Sequence, residues 1–399
     1  MNEYNRAIST PITSSAAFFY ENSTEAEDIF SGNCAKPLYS RMGNPTTFDL
    51  EQRLSQMENG VGAVATSSGM AAITMVIMSM CSSDDEIIAI GGLFGGTYAL
   101  MTQTLPRFGI KTKFLSVDDL DNIESSITTK TKVIFCESVG NPSLRLPNLE
   151  AIGKLATKHN IAFIVDNTVT PIIVKPFEYG ADVVVYSTTK VISGNSSALG
   201  GIAIFKEVKK NDKFSTSRYE FLKPFIDKLE GKALIGCTKK RALRDFGMSA
   251  NAHSSYQTIL GLETLELRTN RINTSCEIVA KVLKSEGVNV NHPSLDENVD
   301  KDLYDTHFSE GTGSMITVDM GTQEKAFKFL DHSNLLTITA NIGDSRTLGL
   351  HMSSTIYQDF TPKEKEYLGI TDGLIRLSIG LEKPQDIIDD LLSCYEASK

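Results

Sequence analysis

The chain has 399 residues, 41% of them hydrophobic and 22% charged, which is enough apolar material for more than one domain core and an ordinary surface for a globular protein. A formal net charge of -10 gives no reason to expect nucleic acid or an anionic membrane as a partner. The six cysteines are scattered with no CxxC pair, no HExxH-like cluster suggests a metal, and no apolar run approaches the roughly 20 residues of a membrane span; reduced thiols in a cytoplasmic protein are expected.

Residues 1–45 are polar and irregular, with Pro11, Gly32, Pro37 and Gly43-Asn44-Pro45, and read as an N-terminal arm; nothing in Met1 to Tyr20 resembles a secretory leader. From Thr46 the apolar residues Phe48, Leu50, Leu54 and Met57 recur at helical spacing, predicting a helix that ends near Asn59-Gly60. A second helix is expected after Ser67-Ser68-Gly69. Strands are then expected at 87–90, 133–136, 161–165, 183–185 and 202–204, alternating with helical stretches, one of them opened by Asn148 as N-cap and running to about His159. Such strands, apolar on both faces, indicate an α/β domain over residues 46–254 around a mostly parallel sheet. The stretch Lys206 to Lys240 is charged and poorly periodic and reads as a connecting excursion. One long helix is expected from about Ser255, with Ile259, Leu260, Leu262, Leu265 and Leu267 as its apolar content, followed by strands at 315–318, 336–339 and 374–377 in a smaller α+β domain over residues 255–399.

In an open parallel sheet, ligands bind beyond the carboxyl ends of the strands. Glu137, Asp166 and the run Ser187 to Lys190 all stand there. Lys190 is the most telling of them. It follows the buried-strand pattern Val183-Val184-Val185-Tyr186, with hydroxyls before it and Gly194 and Gly200-Gly201 after it. A lysine so held can have its pKa lowered and its amine made available for imine chemistry, and the hydroxyls could hold a phosphate. This suggests a Schiff-base lysine for pyridoxal phosphate. Asp166 could pair with a protonated pyridine nitrogen, although a turn aspartate is the bland alternative. Ser67-Ser68-Gly69-Met70 could bind phosphate at a helix N-terminus or be a plain serine cap. Phe94, in Gly91-Gly92-Leu93-Phe94-Gly95-Gly96-Thr97-Tyr98, could stack on a ring or plug the core; the glycines lack the order of a dinucleotide loop, which weighs against a nicotinamide-dependent oxidoreductase. Arg376, flanked by apolar residues, wants either a substrate carboxylate or a structural ion pair. Tyr39 and Arg41 lie in the arm and either reach a neighbouring subunit's phosphate site or are solvated. A non-catalytic binding module is the other alternative, and the coincidence of Lys190, Asp166 and Arg376 weighs against it.

The segments YSRMGNPT, SSGMAAI, LFGGTY, ESVGNP, IVDNT, ADVVVYSTTK and GLIRLSIG, in that order from Tyr39 onward, resemble the Cys/Met-metabolism family of pyridoxal-phosphate enzymes, which includes cystathionine γ-synthase, cystathionine lyases, methionine γ-lyase and O-acetylhomoserine sulfhydrylase. The resemblance implies the fold type I of these transferases and a homotetramer built from two dimers with shared sites. It implies Lys190 as the Schiff-base residue, Asp166 at the pyridine nitrogen, and Ser68, Gly69, Met70, Ser187 and Thr189 at the phosphate, joined there by Tyr39 and Arg41 of the partner subunit. Asn141 would contact the ring oxygen or the substrate carboxylate, Arg376 would grip that carboxylate, and Asn341 would contact substrate. The chain departs from the family pattern at Phe94, where the family usually has a tyrosine that stacks on the ring and assists proton transfer to the leaving group; Tyr98 lies four residues on. The family's His-Pro-Ala-Ser stretch appears as His351-Met352-Ser353-Ser354, and its later histidine as Tyr357. Methionine γ-lyases commonly have cysteine where this chain has Gly96, and cystathionine lyases commonly have a glutamate near Arg346. The segments Asn341 to Leu348 and Arg241 to Gly247 resemble the sulfhydrylase version, so the resemblance implies homocysteine synthesis from O-acetylhomoserine and sulfide, with a cystathionine γ-synthase or a methionine or cystathionine γ-lyase of the same family as the alternative.

Overall fold

The computed structural model describes residues 7–34 and 36–399. Seven strands form the large sheet: β1 Gly62–Thr66, β2 Glu86–Ile90, β3 Lys111–Leu115, β4 Thr131–Glu137, β5 Ala162–Asp166, β6 Val183–Tyr186 and β7 Gly201–Phe205. Their spatial order is β1-β7-β6-β5-β4-β2-β3, and only β7 runs antiparallel to its neighbours. This is the expected α/β architecture with a mostly parallel sheet.

Alternation along the strands divides the core in two. In β4, Val133 and Phe135 face one layer, and Ile134 and Cys136 the other. The first layer is closed by helix Gly69–Met80, the second by helices Pro45–Met57 and Leu149–Lys158. All three begin close to where the sequence puts them, because each has a polar cap: Ser68, Asn44 and Asn148 accept from backbone N–H groups of the first turn. β1 and β3 went unforeseen. β1 is a short Gly-Ala-Val-Ala-Thr run, and β3 is an edge strand that pairs only with β2 and carries Lys111 and Lys113, as edges commonly do.

The stretch Lys206–Lys240 is not a loose excursion. It folds into short helices whose Phe214, Tyr219, Leu222, Leu234 and Cys237 are buried in the first core layer. Its apolar residues are too unevenly spaced for one helix, since several short turns share the work. The long helix expected from Ser255 is two helices, Ala252–Leu262 and Leu265–Ser285, broken at Glu263-Thr264. Ile259 and Leu265 are buried, whereas Leu260 and Leu267 are 44% and 73% exposed. Ile259 packs into the second core layer, so this helix leans on the large sheet.

A second sheet of β8 Val290–Asn291, β9 Met315–Asp319, β10 Thr337–Ile338, β11 Leu348–His351 and β12 Leu374–Ser378 has the order β10-β11-β12-β9-β8 and is antiparallel except for β10 with β11. It packs with helices Leu265–Ser285, Gln323–His332 and Pro384–Ser398 around its own core of Ile316, Val318, Phe329, Ile375 and Leu391. Five of the six cysteines are buried and all six are free. No described helix is long and apolar enough to cross a membrane. Among the described residues, no group of three or more His, Cys, Asp or Glu side chains is arranged to hold a metal ion.

Candidate active site

The carboxyl ends of β4, β5 and β6 open into one cavity, closed on its far side by Ala340, Ile342 and Arg376 of the small domain. Glu137 and Asp166 are register partners at the tips of β4 and β5, so their carboxylates stand side by side. Burial pushes Asp166 up to about 6, and burial together with the Asp166 charge pushes Glu137 well above the usual carboxylate range. No cationic side chain offsets either carboxylate among the described residues. A carboxylate left in this state is a ready partner for a cation that is not part of the protein.

Lys190 ends the turn that follows β6. Burial, with the Arg376 guanidinium adding to it, lowers its ammonium to about 8. Its Nζ donates to Asn341 Oδ1 at 2.7 Å. The turn after it is held from behind by Arg268, which donates to the Val191 and Ile192 carbonyls at 2.8 and 3.0 Å. Arg376 is buried in mid-strand on β12, and burial lowers it to about 10. Among the described residues it has no carboxylate partner. Its guanidinium donates to Asn141 Oδ1 at 2.9 Å and to the Asn341 carbonyl at 3.3 Å. The structural ion pair open to it in the sequence is therefore absent, and the guanidinium remains available to an anion.

Ser68 caps helix Gly69–Met80 by accepting from Ala71 N at 3.1 Å, leaving the Gly69 and Met70 N–H groups without intrahelical partners. A Cβ at Gly69 would lie 2.6 Å from Ser187 Cβ, so only glycine lets the helix end approach the Ser187 hydroxyl this closely. Ser187 and Thr189 line the cavity beside it, although the Thr189 hydroxyl also bonds to Gly200. This N–H and hydroxyl cradle, the carboxylates with no offsetting cation, the lowered lysine and the guanidinium bonded only to neutral oxygens fit the phosphate, ring cation, aldehyde and substrate carboxylate that a pyridoxal-phosphate enzyme must hold.

A family model for Cys/Met metabolism PLP-dependent enzymes matches residues 1–396. The chain belongs to this family. It is similar to the O-acetyl-L-homoserine sulfhydrylase of Corynebacterium glutamicum, at 35% identity over 98% of this chain and 93% of that protein. It is also similar to the L-methionine gamma-lyase of Fusobacterium nucleatum subsp. polymorphum, at 32% identity over 96% and 92% of the two chains. Among solved structures it superposes with a TM-score of 0.90 on a Campylobacter jejuni protein provisionally named O-acetylhomoserine (thiol)-lyase, at 33% identity over 99% of this chain and 96% of that one; that protein carries a pyridoxyl-lysine. The chain is thus a pyridoxal-phosphate enzyme of the sulfhydrylase or γ-lyase type.

The structure brings Lys190, Asp166, Asn141, Arg376, Ser68, Gly69, Met70, Ser187, Thr189 and Phe94 to one cavity. Tyr39 and Arg41 do not line the cavity of their own chain. They lie between the arm and the helices near Arg244, whose carbonyl accepts from the Arg41 guanidinium. Asn341 meets Lys190 through its side chain and Arg376 through its carbonyl. Tyr98 is not in the cavity wall; it packs with Phe114 and Phe360. Tyr357 is buried and donates to the Asn141 carbonyl at 3.0 Å. Arg346 is held by Asp344, with Nε 2.8 Å from Oδ1.

Glu137 belongs with the site and was singled out in the sequence only as a strand-end carboxylate. Its Oε1 accepts from Phe94 N at 2.7 Å, which ties the aromatic turn to the strand tips. Arg268 went unnoticed altogether. It lies far from Lys190 in sequence, and the one signal for it is an arginine on the inward face of an amphipathic helix.

Proposed function

We propose that this enzyme carries out γ-replacement on O-acetylhomoserine, exchanging acetate for sulfide to give homocysteine. Bound pyridoxal phosphate supplies the electron sink that makes the substrate's Cα and Cβ hydrogens acidic. Arg376 would grip the substrate carboxylate beside Asn141. Lys190, with its amine freed from the cofactor, would take and return the protons at Cα and Cβ, a role suited to a lysine lowered to about 8. Asp166 would hold a proton on the ring nitrogen by remaining its anionic partner.

The observation that carries the choice of leaving group is the wall around Phe94. A Cβ on Gly96 would lie 2.7 Å from the Phe94 ring and 3.3 Å from Met70 Sδ, so the ring fills the space a cysteine at Gly96 would need. Phe94 has no proton to give, Tyr98 lies outside the cavity wall, and the Tyr357 phenol donates to the Asn141 carbonyl. A group that departs without a proton is favoured here. A carboxylate is a far weaker base than a thiolate and leaves more readily as its own anion. The segment Asn341 to Leu348 has Arg346, paired with Asp344, and not the glutamate that a substrate with a distal ammonium would call for, and the sulfhydrylase relatives agree with this reading. The deciding assay supplies O-acetylhomoserine with sulfide, then with cysteine, and then methionine or cystathionine alone. Homocysteine formed with sulfide is the expected main product. Ketobutyrate from methionine as the dominant product would sink the proposal in favour of a γ-lyase, and cystathionine as the main product would favour a γ-synthase.

The working unit in this reading is a homotetramer in which the partner subunit's Tyr39 and Arg41 complete the phosphate cradle. Their position outside their own cavity and the exposure of the Tyr39 ring support it. Light scattering that returned a monomer with full cofactor binding would rule it out. The buried free thiols agree with a reducing, cytoplasmic setting.

A further inference from the structure

A continuous chain of hydrogen bonds runs from Lys190 across the boundary between the two sheets to the surface. Lys190 Nζ donates to Asn341 Oδ1 at 2.7 Å, and Asn341 Nδ2 donates to Ser196 Oγ at 2.8 Å. Ser196 Oγ in turn donates to Asp344 Oδ2, and Arg346 Nε donates to Asp344 Oδ1 at 2.8 Å. Ser196 belongs to the loop that follows Lys190, whereas Asn341, Asp344 and Arg346 come from the segment between β10 and β11. The backbones are tied at the same point, where Ser345 N donates to the Gly194 carbonyl at 2.9 Å.

The direction of each bond is fixed by chemistry. A lysine ammonium can only donate, so Asn341 must offer it the carbonyl oxygen, and its NH2 must then find an acceptor. The Ser196 oxygen is that acceptor, and the Ser196 hydroxyl proton is drawn off by the Asp344 carboxylate. Asp344 is fully buried and is kept ionised by its hydrogen bonds and by Arg346. If any link is reversed, two donors face each other.

We propose that Ser196 and Asp344 are positioning residues that lock the Asn341 amide so that its oxygen receives the Lys190 amine whenever that amine is not joined to the cofactor. Asn341 is thereby a docking point for the lysine, a role distinct from contact with the substrate. The proposal rests on Lys190 being the cofactor's Schiff-base residue. The lock favours the ammonium over the free amine and so opposes two influences on Lys190, burial and the Arg376 guanidinium. The charged groups around Lys190 are Arg376 from β12, Glu137 and Asp166 from the strand tips, Arg268 behind the turn, and Asp344 through Ser196. Ser196→Ala changes none of these charges, so its effect reports the amide alone.

The test uses the full-length protein stripped of cofactor and follows the rate at which it gains the visible band on adding pyridoxal phosphate, as a function of pH. Only the neutral amine attacks the aldehyde, so the rate rises with pH through the ammonium's titration, with a wild-type midpoint near 8. Ser196→Ala should move the midpoint down by about 0.5–1 unit, because the ammonium loses a held acceptor. Asp344→Asn should move it down at least as far. Asn341→Asp, which puts an anion at the docking point, should move it up. In the loaded enzyme, Ser196→Ala should lower kcat several-fold and leave KM for the acylated amino acid unchanged. Midpoints for Ser196→Ala and Asp344→Asn within about 0.2 unit of wild type, at unchanged thermal stability, would overturn the proposal. So would an Asn341→Asp midpoint that did not rise. If wild type forms its band and Lys190→Ala forms the same reducible band, it is the Lys190 assignment that fails.

Discussion

Asp166, Glu137 and Ser187 reach the cavity from the tips of parallel strands, whereas Arg376 sits in the middle of an antiparallel strand and Asn341 in a loop of the small domain. The two walls hold their polar groups differently. On the large-sheet wall two carboxylates stand adjacent with no cation to offset them, and their charge is set by burial. On the small-domain wall a guanidinium is bonded to neutral oxygens and an amide carbonyl receives the Lys190 amine, and their positions are set by hydrogen bonds that cross between the sheets. The large-sheet wall is suited to a permanently held charged cofactor. The small-domain wall is suited to groups that come and go: the substrate carboxylate and the released lysine.

If that division holds, variants on the two walls should fail in different ways. Lys190→Ala, at the junction, should remove both the borohydride-reducible visible band and turnover, by about 10³-fold or more; full activity in this variant would refute its role. Asp166→Asn should weaken cofactor retention and lower kcat, each on the order of 10²-fold, since the ring cation loses its anionic partner. Dialysis followed by absorbance measures the first and initial rates the second. Arg376→Gln should raise KM for the acylated amino acid by roughly 10- to 100-fold while the visible band stays as in wild type, because the lost bond is to the substrate carboxylate. A bleached Arg376→Gln protein would break the division between the walls. The smallest effect is expected for Gly69→Ala. Its methyl must push Ser187 away from a 2.6 Å approach, and pyridoxal phosphate titrations should show affinity lowered by about 10-fold, with KM for the amino acid little changed.

The large-sheet wall was the more legible of the two. Asp166 and Lys190 follow runs of buried apolar residues, and a polar group at the end of such a run stands at the carboxyl end of a strand, where ligands bind. Ser68 and Gly69 were legible for a similar reason, because a serine cap before an apolar helical run is a local signal. The pairing of Glu137 with Asp166 was not, since it depends on which strands are neighbours and in what register. Lys206–Lys240 misled because its buried aromatics are spread over several short helices, which no single period describes. Arg268 and the Ser196–Asp344 link lay beyond reach because their partners are distant along the chain.

By itself the sequence determined the class of the fold and the cofactor, and it singled out the strand-end groups proposed to serve it. Those depend on local patterns: apolar runs, helix caps, and a lysine following a buried strand. Only the tertiary structure decided that Arg376 has no ionic partner among the described residues, that Tyr39 and Arg41 lie outside their own cavity, and that Asn341 faces Lys190. Each of those facts is a balance of charge and hydrogen bonding between segments that meet only when the two sheets pack together, and no spacing along the chain encodes which partner a buried polar group will find.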